Sequence, residues 1–397
     1  MNDLKKSSLA DTISFFILLG TIALLPIFIL PIFGMPSEIS KGFFLAFGVF
    51  ASFLSWVIGR FIDKEFVIPK SALIPAVFAL PILFLVSALV SGNIPVSFWG
   101  NVFDIGSVIT MIVLSVLFFL SAIFFQNKKN IIYLILSVFG SFILVFLFQS
   151  VHLFLDSNAF HGFFSAPTAN LVGKWNDLGI FFGLTALLSL FAIEFLSIAK
   201  NLKRFFIFSL IASMFFVTLV NFMAVWIIVA TAALLLFIYS VSSRKEIKNK
   251  DEKKKTFPIA SFAVIIFCLI FILGNNFIGV FLPSHFNVVS LEVRPSFIST
   301  LNITKNVLST HPLFGAGPNR FVNAWSLFKS QDVNTTRFWN TDFDLGYGLL
   351  PTFFATCGIL GGLAILFFLF LFVYRFFKSK ILSVKDESKY FIIGSFY

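Results

Sequence analysis

Residues 131–153 read IIYLILSVFGSFILVFLFQSVHL, and this run of 23 residues contains no Asp, Glu, Lys or Arg. The hydrocarbon core of a bilayer is about 30 Å thick and needs about 20 apolar residues in a helix to cross it. Two lysines, Lys128 and Lys129, precede the run and are separated from it only by Asn130. The segment therefore predicts a membrane-spanning helix with a basic end on one side.

The same pattern recurs along the chain of 397 residues, which is 58% hydrophobic and only 12% charged, against about 25% charged residues in soluble domains. We predict an all-α, polytopic transmembrane helix bundle of about 10–12 spans. Ten spans are predicted at 11–34, 43–62, 72–92, 107–125, 131–153, 178–198, 205–222, 223–241, 257–274 and 349–375. An eleventh begins at Tyr390 and is cut off at Tyr397, so we expect the natural chain to continue.

Three segments follow from these spans. Residues 1–274 carry spans one to nine, residues 275–348 form a large, partly helical loop, and residues 349–397 carry span ten and the start of the next. A loop of this length within a compact helical protein is usually functional.

The distribution of basic residues orients the chain, because lysine and arginine concentrate in cytoplasmic loops. With the amino terminus inside, most of the 29 basic residues lie inside. The seven outside are Lys41, Lys174, Arg294, Lys305, Arg320, Lys329 and Arg337. The net charge of +11 is thus a topology signal and does not indicate nucleic-acid binding. We expect a plasma-membrane protein with a cytoplasmic amino terminus and an extracytoplasmic 275–348 loop.

The loop contains a polar turn, THPLFGAGPNRF, at residues 310–321. An irregular amphipathic pattern before it predicts a helix at about 296–309, lying along the outer membrane surface. Pro312 ends that helix, and Asn319 is a candidate cap for a second short helix, RFVNAWSLFKS. We call residues 311–320 the corner.

The corner contains residues that are typical of an anion-binding site. Gly315 and Gly317 let backbone amides approach a ligand closely, and a helix amino terminus adds partial positive charge. Arg294 and Arg320 stand near its ends, and arginine pairs with phosphate oxygens in a bidentate geometry. A rigid helix–turn–helix with interfacial arginines is the structural alternative, and spacing alone does not decide between the two.

Other polar groups are sparse. Apart from Asp11, the first residue of its span, Glu194 is the only acid inside a predicted span, and we expect it to pair with Lys200 and Lys203 at the inner membrane edge. Cys268 and Cys357 both sit in apolar spans, so neither a disulfide nor a metal site is indicated. We predict no metal and no cofactor.

The arrangement resembles the superfamily of O-antigen ligases and Wzy-type O-antigen polymerases. The resemblance rests on the late outer loop, the arginine ahead of an amphipathic helix, HPLFGAG at 311–317, and Gly358-Ile-Leu-Gly361 in the next span. The stretch NLVGKWNDLGIFFG at 170–183 is similar to the family's asparagine-rich opening of a middle span. The resemblance covers about 150–375.

The resemblance implies a type-C-like membrane glycosyltransferase on the outer face of a bacterial plasma membrane. Such an enzyme moves a glycan from an undecaprenyl-diphosphate carrier, a lipid-linked oligosaccharide or polysaccharide, onto a glycan, lipid or protein acceptor. It implies that Arg294 is catalytic, neutralising the diphosphate leaving group. The family's arginine in the middle outer loop has no counterpart, although Lys174 or His161 stands nearby. The implied substrate-binding residues are Arg320, His311, Gly315, Gly317, Lys174 and Asn176.

One departure concerns the catalytic base. The family places a His-Asn pair eleven residues before the first glycine of the G-x-x-G motif, whereas counting back from Gly358 gives residues 347–348, Tyr-Gly. Asp342 or Asp344, both catalytic candidates, or His311 itself could replace the histidine.

Two alternatives from other classes remain. A transporter or flippase of polar or lipid-linked substrates should place polar groups at mid-membrane or break its helices there. A non-catalytic relative would explain the missing histidine.

Overall fold

The computed structural model describes residues 9–30, 36–66, 68–100, 104–155, 164–196, 198–245, 257–275, 277–286, 288 and 293–378. Throughout these residues the regular structure is helical, without a β-strand. The fourteen α-helices are α1 (Leu9–Leu24), α2 (Ser37–Asp63), α3 (Leu73–Val90), α4 (Ile94–Trp99), α5 (Val108–Phe124), α6 (Lys128–Phe154), α7 (Trp175–Phe195), α8 (Lys200–Val220), α9 (Met223–Lys245), α10 (Ile259–Leu273), α11 (Ile278–His285), α12 (Phe297–Thr310), α13 (Phe321–Phe328) and α14 (Leu349–Lys378).

Each of the ten predicted spans overlaps one of these helices, which confirms the all-α bundle, although the helix of the first span, predicted at 11–34, ends at Leu24. Seven of them (α2, α3, α6, α7, α8, α9 and α14) are long and apolar enough to cross a membrane. The apolar helices α1, α5 and α10 are shorter, at 16, 17 and 15 residues. The protein is therefore a multi-pass membrane protein. The predicted start of an eleventh span lies outside the described residues.

Small polar side chains hold α7 against α8. Thr185 Oγ1 and Ser213 Oγ lie 2.8 Å apart across the interface, and both residues are fully buried. One turn away the ring of Phe182 stacks on that of Phe216, with centroids 4.5 Å apart. Lipid tails are as apolar as leucine, so close packing and interhelical hydrogen bonds hold membrane helices together.

The intramembrane acid Glu194 has a partner that the sequence did not indicate. Its carboxylate accepts hydrogen bonds from Ser261 N at 2.7 Å and from Ser261 Oγ at 2.5 Å. Ser261 lies in the first turn of α10, whose backbone N–H groups have no partner within the helix. Glu194 thus caps a neighbouring helix, and the expected pairing with Lys200 and Lys203 was wrong.

On the other side of the bundle, α3 packs between α5 and α14. Ser115 Oγ on α5 donates to the carbonyl of Val77 on α3 at 3.2 Å. Nearer the end of α3, the fully buried ring of Phe84 meets that of Phe353 on α14 edge to face, with centroids 5.5 Å apart. These contacts fix the carboxyl end of α3 beside the first half of α14.

Helix α14 is broken at Gly358. This residue has φ 69° and ψ −168°, an extended left-handed conformation that interrupts the helix. A non-glycine residue rarely adopts a positive φ of this kind. The break leaves main-chain groups of α14 without partners in their own helix, and the outer loop supplies them.

Candidate functional site

The corner fills the break in α14 with its own backbone. Two amides of the corner donate to carbonyls just before the break, and two amides just after it donate to carbonyls of the corner. The bonds are Ala316 N to Ala355 O (3.0 Å), Gly317 N to Thr356 O (2.8 Å), Ile359 N to Pro312 O (3.0 Å) and Leu360 N to Leu313 O (3.3 Å).

Glycine is required on both sides of this junction. Gly315 has φ 66°, and a Cβ on it would lie 2.6 Å from both Ala355 O and Gly358 N. A Cβ on Gly358 would in turn collide with the carbonyl of Leu313. Gly315 N donates to His311 O at 3.0 Å, and Gly317 N donates to the carbonyl oxygen of Thr356. These amides are already bonded within the protein, so we assign the two glycines to packing and not to ligand contact.

Helix α12 runs parallel to the first half of α14 with a constant offset of 47 residues. Tyr347 N donates to Thr300 Oγ1 at 2.8 Å, and Thr304 Oγ1 donates to Pro351 O at 3.2 Å. The bonds at Pro312 and Leu313 keep the same offset. The helix predicted at 296–309 is confirmed to within one residue. Its predicted position along the membrane surface stays a prediction.

Arg320 anchors the corner to the end of α3. Its guanidinium donates to the carbonyl of Ser91, just past the last residue of α3, and its Nε is buried. Ser87 Oγ donates to Phe314 O at 2.6 Å. A carboxyl-terminal carbonyl of a helix carries partial negative charge, so a guanidinium is favourable there. Part of the donor capacity of Arg320 is therefore used within the protein.

Asn319 does not cap α13 as the sequence suggested. The residue before α13 is Arg320, which makes no side-chain cap. Asn319 instead has φ 57°, and its Nδ2 donates to Asp104 Oδ2 at 2.9 Å. The cap prediction was wrong because α13 begins only at Phe321 and Asn319 has a left-handed backbone, whereas an N-cap residue is typically extended.

The pKa of the Asp344 carboxyl is influenced by charges from distant segments of the chain. The residue is exposed, yet partial desolvation of its carboxyl raises its pKa, and the negative charges of Asp104 and Asp342 act in the same direction. Lys174 lowers the pKa of Asp344. The α4–α5 connection, the residue before α7 and the 342–347 segment thus each carry a charge that acts on this carboxylate.

Lys174 stands immediately before α7. Its Nζ lies 3.3 Å from Glu38 Oε1 at the start of α2, and its backbone N donates to Asp177 Oδ2 at 3.1 Å. The side chain keeps 59% of its surface exposed, so it remains accessible to a ligand. Asn176, one residue into α7, is half-buried.

Arg294 lies at the opposite end of α12 from the corner. Helix α12 has 14 residues and is therefore about 21 Å long, so Arg294 and the corner glycines do not form one cradle. Arg294 is exposed, three residues before Phe297. The ring of Phe297 meets that of Tyr347 with centroids 5.6 Å apart, and Asp344 lies three residues before Tyr347. Arg294 and Asp344 thus each lie three residues along the chain from this ring contact.

The structure describes two of the three remaining candidate residues. Asp342 is exposed beside the buried Phe343, and His311 ends α12 with an exposed side chain. His161 lies outside the described residues. Within the described residues, no group of three or more His, Cys, Asp or Glu side chains could hold a metal ion.

Sequence reasoning missed Asp104 altogether. The only signal was WGNVFDIGS at 99–107, an acid between two glycines in a short connection between apolar helices. Nothing in the sequence alone pairs this connection with Asn319, which is 215 residues away.

No protein-family model matches the chain, and no curated protein matches it.

Proposed function

We propose that the protein is a membrane glycosyltransferase of the O-antigen ligase or polymerase type, acting on the outer face of a bacterial plasma membrane. It would transfer or polymerise a glycan from an undecaprenyl-diphosphate carrier onto a glycan, lipid or protein acceptor. The observation that carries the proposal is the contact between two motifs of the resemblance: the corner forms backbone hydrogen bonds on both sides of Gly358, the first glycine of the G-x-x-G motif. The charges of Lys174, Asp104 and Asp342 act on the pKa of the catalytic candidate Asp344.

In this proposal Asp344 is the general base. It takes the proton from the acceptor hydroxyl as the hydroxyl oxygen attacks the sugar carbon that bears the diphosphate. A raised pKa brings a carboxylate closer to the strength that a base needs near neutral pH. Asp344 is preferred to Asp342 because partial desolvation and the negative charges of Asp104 and Asp342 raise its pKa, with Lys174 acting in the opposite direction. His311 keeps a structural role, since its carbonyl closes the corner turn through Gly315 N.

Arg294 is the proposed partner of the diphosphate. It is exposed and lies three residues before α12, whose first residue, Phe297, contacts Tyr347. As the carbon–oxygen bond to the carrier breaks, negative charge builds on the leaving diphosphate, and a guanidinium placed there stabilises the transition state. Lys174 can add a second positive charge. Arg320 is the weaker candidate, because its guanidinium already binds Ser91 O.

One observation bears on the transporter alternative. Transporters often bind substrate at broken helices, and α14 is broken at Gly358. However, the carbonyls of Ala355 and Thr356 accept hydrogen bonds from the corner, so they are not presented to a cavity. The break therefore adds little support for transport.

Gene deletion followed by glycan profiling tests the proposal. Loss of long chains indicates a polymerase, whereas finished chains that remain on the carrier indicate a ligase. Complementation with Asp344→Asn should fail, with a loss of about 100-fold or more for a general base, while Asp342→Asn should restore most activity. An unchanged profile after deletion would contradict the proposal.

A further inference from the structure

An apolar groove of about 500 Å³ lies between α8 and α10. Its lining runs from Ala260 near the start of α10 to Leu282 on α11. Among the described residues that line it, only Thr218 has a polar side chain, and its hydroxyl donates to Met214 O at 2.8 Å within α8. The described part of the lining therefore offers a ligand hydrocarbon contacts. Ile211 in this lining is 64% exposed, so the groove is open to the surroundings of the bundle.

The two ends of the groove differ. Just past the last residues of α8 and α10, Asn221 Nδ2 donates to Asn275 Oδ1 at 2.8 Å, and this bond ties the two helices together. Near the opposite end, α10 is attached to α7 through the hydrogen bonds from Ser261 to Glu194. The helices are thus tied directly to each other only at the Asn221 end in the described contacts, and the other end is where α8 begins.

Three exposed basic residues continue the groove-lining face of α8 to its beginning. Arg204 lies seven residues before Ile211, Lys203 lies seven before Leu210, and Lys200 lies eleven before Ile211. Positions seven or eleven residues apart share one face of an α-helix. Seven residues correspond to about 10 Å along the helix axis. The stripe on α8 that is apolar in the groove is therefore basic at its first turns.

The three basic residues form no salt bridge among the described residues, where the ion pairs involve Arg60 and Lys174. Glu194 is the acid nearest to them in the sequence. Its carboxylate is bonded to Ser261 instead. Within the described part of the chain, their charges are therefore left to an anion from outside it.

We propose that the groove binds one acyl chain of an anionic phospholipid whose phosphate lies against Lys200, Lys203 and Arg204. An apolar groove between membrane helices is filled by hydrocarbon, because water in it would find few hydrogen-bond partners. Basic residues on the cytoplasmic side attract anionic headgroups, and Lys200 is predicted to lie on that side. The carrier diphosphate is proposed to bind at Arg294, in the loop predicted on the opposite side. The lipid site does not depend on the proposed function.

Native mass spectrometry of the full chain in detergent tests the headgroup preference. Dioleoyl phosphatidylglycerol and dioleoyl phosphatidylcholine have the same acyl chains, but only the first carries a net negative charge. At equal concentrations, the protein should retain the anionic lipid about tenfold more than the neutral one. Equal retention of the two lipids would overturn the proposal.

A pair of double variants locates the headgroup. Lys203→Gln with Arg204→Gln should abolish the preference for phosphatidylglycerol. Lys128→Gln with Lys129→Gln removes the same charge from exposed positions at the start of α6 and should leave the preference unchanged. Equal effects of the two double variants, or no effect of the first, would overturn the assignment of the phosphate to α8.

A second pair of variants locates the acyl chain. Ala263→Trp fills the groove and should lower retention of phosphatidylglycerol about tenfold. Leu269→Trp changes an exposed position on the other face of α10 and should retain the lipid normally. The thermal unfolding midpoint without added lipid shows whether each variant is folded, and Ala263→Leu replaces Ala263→Trp if that variant is not. Normal retention by a folded groove variant would overturn the proposal.

Competition distinguishes a phospholipid from the lipid carrier. Undecaprenyl phosphate is added in an amount equal to the bound phosphatidylglycerol. Retention of most of the phosphatidylglycerol supports the proposal. Complete displacement would assign the groove to a polyprenyl chain and overturn it. Neither result bears on glycan assembly by the Asp344→Asn variant, so the lipid site and the proposed function fail separately.

Discussion

Two packing junctions in this protein are held by different kinds of group, one by side chains and the other by the backbone. Helix α7 packs on α8 and α9 through side chains, such as the Thr185–Ser213 contact and the close approach of Gly183 to Val225. The corner packs on α14 through backbone, with four main-chain hydrogen bonds across the Gly358 break. A side chain can move or be shortened, but a backbone carbonyl cannot be removed, so the two junctions should respond differently to the same substitution.

Gly358→Ala should have the largest effect. The new Cβ meets the carbonyl of Leu313 and the residue needs a positive φ, so we expect a destabilisation of at least about 3 kcal/mol. The measurement is the yield of monodisperse protein in detergent and its thermal unfolding. Gly140→Ala on α6 is the matched control. Nothing lies within 4 Å of its Cβ, so it should be neutral or raise stability by about 1 kcal/mol. Equal behaviour of the two variants would contradict the account of the junction.

Rescue separates the two junctions more sharply. A Cβ on Gly183 would lie 2.7 Å from Val225 Cγ1, so Gly183→Ala should cost about 2 kcal/mol. The double variant Gly183→Ala with Val225→Ala should recover most of that loss, because the next atom of Val225 is 4.0 Å away. Gly315→Ala faces Ala355 O and Gly358 N, and no side-chain truncation should rescue it. Thermal unfolding of the two single glycine variants and of the two double variants, Gly183→Ala with Val225→Ala and Gly315→Ala with Thr356→Ala, checks this. Recovery of stability in the second double variant would count against it.

The same contrast between side-chain and backbone contacts explains which structural features could be predicted from the sequence. Ten apolar runs and their basic ends predict ten helices, because span length and loop charge are local properties. The corner at 311–320 was recognised as a turn from Gly315, Gly317 and Pro312. That it fills the break at Gly358 could not be predicted, because main-chain hydrogen bonds between distant segments leave no residue-type signature. Glu194 was misassigned because Lys200 and Lys203 are near in sequence, whereas Ser261 is near only in space.

A smaller effect is expected at Gln149 on α6. This residue is 1% exposed, and its amide nitrogen and oxygen have no hydrogen-bond partner among the described residues. An unsatisfied buried amide is unfavourable, so Gln149→Met should raise the free energy of unfolding by about 1 kcal/mol. Gln126→Met, at an exposed position near the other end of the bundle, should be neutral. A clear loss of stability in Gln149→Met would show that the amide has a partner that the fold alone does not supply.

The most direct test of the central claim compares two arginines of the outer loop. In cells lacking the gene, Arg294→Ala and Arg337→Ala are expressed to equal levels in the membrane, and the surface glycan is profiled. Arg337 packs over the ring of Phe338 and serves as the matched control. The account predicts that Arg337→Ala restores glycan assembly and that Arg294→Ala fails, with a loss of about 100-fold or more. Normal glycan assembly by Arg294→Ala would contradict it.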